Sequence, residues 1–283
     1  MYKRMIALMT ALLVMGCAGE PSTPLLPARS LADMPIDPPY DIVFETAHPS
    51  DFSDYFAAAH ETARQSYLLG AGTEYENEVT VLTGAQPGAT IYVVAGVHGD
   101  EEAAWRAGGL LKEACIKAGS LYILAPANRM GATAQPPSRY VFGRFDLNRN
   151  FPGEEQRNDT QKMANAIFED IRRAAPGMLL DLHEAQTVSD RYDFLGSALI
   201  FTELGDQSDF FLQMILETQQ GLLCSHPFDY FSPAPNGSIN KAVSQQLLIP
   251  TVTVETFRGY EMANRVSDQL SIVGRILTEY GML

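Results

Sequence analysis

The stretch "ATIYVVAGVHGDEEAAWRAGGLL", Ala89 to Leu111, decides the reading of the fold. Its first half is an apolar run that stops at Gly96, as a buried strand does. After Glu101 a helix-like pattern begins. Gly96 and Gly99 lie between the two halves and permit a tight bend. The bend carries His98 and Glu101, three residues apart. In open α/β sheets ligands gather beyond the carboxyl ends of the strands. A histidine and a glutamate at such a place are therefore candidates for chemistry.

Outward from this unit, helical and strand signals alternate. "DFSDYFAAAHETARQSYLLG" (51–70) reads as a helix, with Asp51 or Ser53 as cap and Gly70 as stop. "EVTVLTG" and "ATIYVVAG" read as strands, and "EEAAWRAGGLLKEACIKAG" (101–119) as a helix. "SLYILAPAN" is a buried strand, "NDTQKMANAIFEDIRRAA" a helix and "GMLLDLHEA" a strand. Then come the strand "SALIFTE", the helix "DQSDFFLQMILETQQG", the strand "TVTVETF" and a closing helix, "DQLSIVGRILTEYG". This alternation predicts an α/β three-layer sandwich with a mixed, mostly parallel sheet covered on both faces. No internal repeat and no second domain is visible. The segment 128–158 lacks regular periodicity, and loops that long are usually functional.

The chain has 283 residues, 46% of them hydrophobic and 19% charged, enough for one sizeable core. Its formal net charge is -14. No basic stripe is available to meet phosphates, which argues against nucleic-acid binding.

The first residues, "MYKRMIALMTALLVMGCAGEPS", have a basic start, a short apolar run and a small residue before Cys17. That is the secretory signal pattern, and the run is too short for a confident membrane span. "VMGC" resembles the lipobox of bacterial lipoproteins, which implies lipidation of Cys17. The expected division is a signal peptide over 1–16, a lipidated Cys and Pro-rich tether over 17–40, and a folded domain over 41–283. The protein would be exported and anchored to a membrane by its lipid alone, facing periplasm or cell exterior. Cys115 and Cys224 remain as a pair or as free thiols, and without CxxC spacing a Cys-based zinc site is not expected.

Several strand-like runs end in chemically capable residues. His98 and Glu101 follow "IYVVAG", Asn128 follows "LYILAPA", His183 ends "MLLDLH" and Glu255 ends "TVTVE". His98, Glu101 and His183 offer two imidazoles and one carboxylate, the donor set of a catalytic zinc. Asp181, two residues before His183 on the same strand face, either orients an imidazole or bonds to backbone. "SRYVFGRFDLNRNFPGE" (138–154) brings Arg139, Arg144 and Arg149, whose planar forks match carboxylates. Asn148 can donate to the same group. Glu102 reads as a first-turn helix glutamate facing the dipole. Glu184 should point to the opposite strand face from His183. His48, His60 and His226 have no companion motif.

"HGDE", "DLNRNFPG", "LDLH" and "TVTVE", in that order, resemble the zinc carboxypeptidase superfamily over roughly Val93 to Arg258. That superfamily includes true metallocarboxypeptidases and the succinylglutamate desuccinylase/aspartoacylase branch. The resemblance implies a zinc carboxypeptidase-like domain with one zinc ion on His98, Glu101 and His183. It implies Asn148 and Arg149 as binders of a substrate carboxylate and Glu255 as general base. Arg139 or Arg144 would stabilise the oxyanion. Tyr230, in "HPFDYFSPAPNG", is the nearest candidate for a loop tyrosine of carboxypeptidases, and Ile239 lies near where they set side-chain preference.

The two branches compete. "SRYVFGRFDLNR" resembles the deacylase pattern with two extra residues intervening. "NGSINKAVSQQLLIPTVTVE" resembles the carboxypeptidase run into the catalytic glutamate, and only 28 residues follow Glu255, too few for the additional β domain of the deacylases. The expectation is a metallocarboxypeptidase acting on peptides or cell-wall stem peptides with a free carboxylate. The alternative is an N-acyl amino acid deacylase. A non-catalytic binding lipoprotein on the same fold is a third reading, against which the presence of Glu255 speaks. No G-x-S-x-G elbow supports a serine hydrolase.

Overall fold

The computed structural model describes residues 26–27, 61–186, 195–203 and 207–283. Among these, nine strands form one sheet. They are β1 (Leu26–Pro27), β2 (Thr62–Leu69), β3 (Asn77–Gly84), β4 (Gln86–Ala95), β5 (Ala118–Leu124), β6 (Met178–Ala185), β7 (Ala198–Phe201), β8 (Asp229–Phe231) and β9 (Thr251–Phe257). The order across the sheet is β1-β2-β3-β5-β4-β6-β9-β7-β8. The four central strands β5, β4, β6 and β9 are parallel. β1, β2, β3 and β5 pair antiparallel on one side, and β7 pairs antiparallel with β9 on the other. The sheet is thus mixed, with its parallel part at the centre, where helices cover both faces.

Those helices are α1 (Glu102–Leu111), the short α2 (Arg129–Thr133), α3 (Asp159–Ala174), α4 (Ser208–Gln219), α5 (Ile239–Gln246) and α6 (Met262–Glu279). One face of the sheet packs Ile91, Val93, Leu180, Leu182, Val252 and Val254 against α1, α4 and α6. The other face packs Tyr92, Val94 and Leu179 against α3 and α5. Alternate residues of one strand point to opposite faces. Asp181 and His183 of β6 therefore share the α3/α5 side with Leu179, and Glu255 of β9 lies beside them because it pairs with His183 in register. β6 is buried along its whole length, as expected for a central strand of a three-layer sandwich.

The helix expected over 51–70 is overturned where it is described. Thr62–Leu69 is a strand, paired residue by residue with β3 from Thr62↔Gly84 to Leu69↔Asn77. Tyr67 and Leu69 are buried on one face, and the ladder to β3 outweighs the local helical spacing. The strand aims Tyr67 at α3, where its hydroxyl donates to Asp170 Oδ2 at 2.5 Å. The helix expected to run to Gly119 stops at Leu111. Beyond it the chain is already committed to the sheet: Ile116 N donates to Thr62 Oγ1 at 2.9 Å, and Lys117 O accepts from Gln86 N at 3.1 Å. Cys115 and Cys224 are both free thiols.

Residues 1–16, Cys17, His48 and His60 lie outside the described residues. Leu26–Pro27, from the stretch read as a tether, pairs with Ser66 and Gln65 of β2. Among the described residues no helix is long and apolar enough to cross a membrane.

Candidate metal centre and substrate cleft

The turn after β4 needs its two glycines for different reasons. Gly96 has φ +71°, a left-handed conformation, and a Cβ there would meet Trp105 Cβ at 2.8 Å. A Cβ on Gly99 would sit 2.3 Å from the backbone of Gly131 and Ala132. The turn delivers Glu101 to the start of α1, but its carboxylate does not cap the helix. It faces the two histidines instead. Oε1 lies 2.7 Å from His98 Nδ1 and Oε2 lies 2.6 Å from His183 Nδ1. The Glu184 amide donates to Oε2 at 3.1 Å. All three side chains are buried, and their ligand atoms lie within 4.8 Å of one another.

Each imidazole has a carboxylate behind it. His98 Nε2 is 3.1 Å from Asp146 Oδ1. His183 Nε2 is in ion-pair contact with Asp181 Oδ1 at 3.0 Å. Both Nδ1 atoms converge while both Nε2 atoms are held from outside, the arrangement that fixes imidazoles as metal ligands. Two nitrogens and a carboxylate suit zinc by donor type. Burial disfavours charge on His98, but Glu101 and Asp146 raise its pKa overall. For His183, burial is likewise outweighed, by Asp181 and Glu101, and the pKa lies well above the ordinary value. Glu101 is held well below the usual carboxylate range, because both histidines outweigh its desolvation. Asp146, despite burial, is also held low, by His98 and Arg139.

The centre opens into a cavity of about 350 Å³ lined by His98, Glu101, Arg139, Asn148, Arg149 and Glu255 together with Ile200, Ala234, Pro235 and Thr253. Its volume lies at the small end of the range for ligand sites. Glu255 shows part of its surface to this cavity and is enclosed by protein elsewhere. Desolvation pushes its pKa up to about 7, with Glu101 and Asp181 raising it and the histidines opposing. Arg139 donates to Asp146 Oδ2 through Nε and Nη2 at 3.2 and 3.0 Å and lies 3.5 Å from Glu101 through Nη1. Arg149 is exposed at the cavity and donates to its neighbour's carbonyl, Asn148 O, at 2.8 Å. Asn148 is more committed than the sequence suggested. Its Oδ1 accepts from Ile239 N at 2.9 Å, and its Nδ2 lies 3.3 Å from His183 Nε2.

Three sequence candidates are not brought to the cleft. Arg144 lies over the Phe145 ring at 4.7 Å and lines a separate groove with Phe142 and Asn158. Tyr230 sits on the edge strand β8, 56% exposed, stacked on Phe201. Ile239 is fully buried in the core under α5, so its contribution to the site is its backbone amide. Glu184 does point away from His183: it accepts from Ala103 N at 2.9 Å and pairs with Arg265. Glu102 pairs with Arg106 on α1. His226 bonds Asp268 and stacks on Tyr260, a packing role.

Two groups escaped the sequence reading. Asp146 binds both His98 and Arg139, and its signal was the first letter of the "DLNR" motif. Arg258 bonds Asp100 at 3.0 Å and stands 3.7 Å from Glu101, clipping the end of β9 to the turn. No local pattern marks that pair.

The catalytic-domain model of the succinylglutamate desuccinylase/aspartoacylase family matches residues 87–255, which spans the turn, both histidines and Glu255. The chain belongs to this family. The succinylglutamate desuccinylase/aspartoacylase family is hydrolytic and lies within the zinc carboxypeptidase-like superfamily. No curated protein sequence matches the chain significantly. Among solved structures, a succinylglutamate desuccinylase from Silicibacter sp. TM1040 superposes with a TM-score of 0.56 at 17% identity, covering 79% of this chain and 68% of that one. The product-bound ectoine utilization protein EutE (DoeB) from Ruegeria pomeroyi gives 0.60 at 19% identity, covering 84% and 72%. Tripeptide-bound Csd4, a cell shape determinant from Helicobacter pylori, gives 0.61 at 15% identity, covering 73% of this chain and 56% of that one. At such identities these likenesses speak of fold, and they agree with the α/β sandwich expected from the alternation of strands and helices.

Proposed function

We propose that the protein is a zinc-dependent hydrolase of an amide bond next to a free carboxylate. The observation that carries this reading is a buried His98–Glu101–His183 donor set, two of whose members, His98 and Glu101, line one cavity with two arginines and a carboxylate whose pKa is pushed up to about 7. His98 Nδ1, His183 Nδ1 and Glu101 would hold the ion. Bound there, zinc supplies Lewis acidity, polarising the amide carbonyl and acidifying water. Glu255 takes the proton of the attacking water as its oxygen bonds to the carbonyl carbon. It then hands the proton to the amine nitrogen as the C–N bond breaks. Arg139, held by Asp146, offers its guanidinium to the negative charge that develops on the carbonyl oxygen. Arg149 pairs with the substrate carboxylate at the open side.

The family match favours an N-acyl amino acid as substrate. The second reading is a carboxypeptidase acting on short peptides, including cell-wall stem peptides. It is supported by the likeness to tripeptide-bound Csd4 and by the uncharged wall of Ile200, Ala234 and Pro235. One screen separates them. Zinc-loaded protein is offered N-acyl amino acids and free-acid di- and tripeptides, with and without chelator. Chelator-sensitive release of a fatty or short acyl acid supports the first, and release of a C-terminal residue the second. Turnover of both classes that survives chelation would overturn the zinc reading altogether. Lipid anchoring through Cys17 is proposed alongside. Radiolabelled palmitate should enter the native chain and not Cys17→Ser.

Asp146→Ala should weaken zinc binding by about 10–100-fold, the usual loss when a carboxylate behind a ligand histidine is removed. It should also lower kcat, because Arg139 loses its anchor. Chelator competition reads the first effect and zinc-saturated kinetics the second.

A further inference from the structure

The cavity has a charged end and an uncharged end, and the two are built onto each other. Arg149 stands on the short turn Leu147–Arg149, and segment 234–238 is docked directly against it. Gly237 makes that approach possible. It has φ +74°, and a Cβ on it would sit 2.5 Å from Arg149 O. Its own carbonyl accepts from Phe151 N at 3.0 Å, and Ile239 N donates to Asn148 Oδ1 at 2.9 Å. A group held by Arg149 therefore lies beside segment 234–238.

That segment gives the cavity Ala234, Pro235 and Ser238, and the sheet adds Ile200 from β7 and Thr253 from β9. Asn240 ties these pieces together. Its Nδ2 donates to Ile200 O at 2.9 Å and to Thr253 Oγ1 at 3.1 Å. Its Oδ1 accepts from Thr202 Oγ1 at 3.0 Å, and Thr202 Oγ1 accepts from Ala234 N at 3.3 Å. Asn240 is fully buried, so water does not compete for its bonds and the wall keeps one shape.

The wall has two hydroxyls, and both spend their protons on the protein. Ser238 Oγ donates to Pro235 O at 2.7 Å, and Thr253 Oγ1 donates to Asp181 Oδ2 at 3.1 Å. Gln186 also lines the cavity but is solvent-exposed, outside the buried surface of Ile200, Ala234 and Thr253. Among the described residues, the guanidinium groups at the cavity are those of Arg139 and Arg149. Arg139 is committed to Asp146. Arg149 gives Nη1 to Asn148 O and keeps donors for one two-point carboxylate contact. A second carboxylate on the substrate would meet neither a cation nor a hydroxyl proton at this wall, and would lose its water there.

We propose that Ile200, Ala234 and Thr253 are specificity-determining residues. The substrate residue that carries the free carboxylate has an uncharged, aliphatic side chain, and that side chain packs on this wall while Arg149 holds the carboxylate. Glutamate and aspartate, the residues in the family's name, have acidic side chains, and the wall turns them away. This inference rests on the reading of the site as one that binds a free carboxylate beside an amide.

The test measures kcat/KM of zinc-loaded native protein on two matched series, N-acetyl amino acids and free-acid dipeptides, each ending in leucine, aspartate or lysine. In whichever series is turned over, leucine should exceed aspartate and lysine by about a hundredfold or more, since an unpaired charge is rejected more strongly than a missing methylene. Aspartate or lysine equal to leucine overturns the proposal. Ile200→Lys places a cation in the wall and should raise the aspartate-to-leucine ratio by about tenfold or more. Damage to packing would lower both substrates without that reversal, and an unchanged ratio in the folded variant overturns the role of Ile200. Because that variant could fail to fold, calorimetry on zinc-loaded Glu255→Gln gives a second reading, with N-acetyl-leucine and N-acetyl-aspartate as probes. Leucine should bind more tightly, and tighter binding of aspartate overturns the proposal. The binding preference is read whether or not the amide is cleaved, so a native protein that binds N-acetyl-leucine selectively and hydrolyses neither series would sink the hydrolase reading and leave the specificity of the wall standing.

Discussion

Glu255→Gln should leave the fold and the zinc affinity near native and lower kcat by about 10²–10⁴-fold, the range for a lost general base. The amide is nearly isosteric with the carboxylate and has no capacity to take a proton. Glu255 is placed for that task by strand pairing: it lies opposite His183 across parallel strands, facing the cavity. Its ionisation is tuned for it as well. Desolvation pushes the pKa up to about 7, so the group stands near the point where accepting and returning a proton are both accessible. The acid limb of kcat/KM should therefore fall at or below about pH 7, moved lower by a cation bound beside it, and vanish in the Gln variant. Zinc content by metal analysis and kcat under zinc saturation check the two halves. Near-native turnover in Glu255→Gln would remove Glu255 from the mechanism, and loss of zinc would make it a ligand instead.

Much of this site could be read from sequence because its parts are local. A buried strand, two glycines and a helix start place His98 and Glu101 with little help from the rest of the chain, and strand periodicity places Asp181 and His183 on one face. What escaped depends on distant partners. Thr62–Leu69 has helical spacing when read alone and becomes a strand because β3 offers eight paired residues. Arg139 and Arg144 are equivalent as letters in one loop. The fold separates them by giving Arg139 two bonds to Asp146 and Arg144 an aromatic ring. Ile239 and Asn240 are adjacent, and the resemblance pointed to the first. The structure buries Ile239 in the core and gives Asn240 four polar contacts across three strand and loop segments. Side-chain chemistry was legible wherever one element decided its direction, and illegible wherever tertiary contacts chose between neighbours.

Zinc affinity should rise steeply with pH through the neutral range, by up to about tenfold per pH unit for each proton displaced. The direction follows from the metal-free site. Against the opposing effect of burial, Glu101 and Asp146 raise the pKa of His98, and Asp181 and Glu101 raise that of His183 well above its ordinary value. Both imidazoles thus hold their protons to higher pH than free histidine, with pKa about 6.5, does. Glu101 is already a carboxylate, because those same histidines hold its pKa well below the usual range in spite of desolvation. A metal ion then has two protons to displace from the histidines and none from the glutamate. The dissociation constant should fall by up to about a hundredfold per pH unit above about 6.5, and level off once both imidazoles are neutral. Without metal the same groups act in the opposite sense. A raised histidine pKa gives stability that is complete below about 6.5 and is lost as pH rises through the folded value. Melting curves in chelator should therefore shift down in temperature as pH rises above about 6.5, while the gap to the zinc-loaded curve widens. A pH-independent zinc affinity would show that the two histidines are neutral before the metal arrives, and that the buried Glu101 carries its charge without their help.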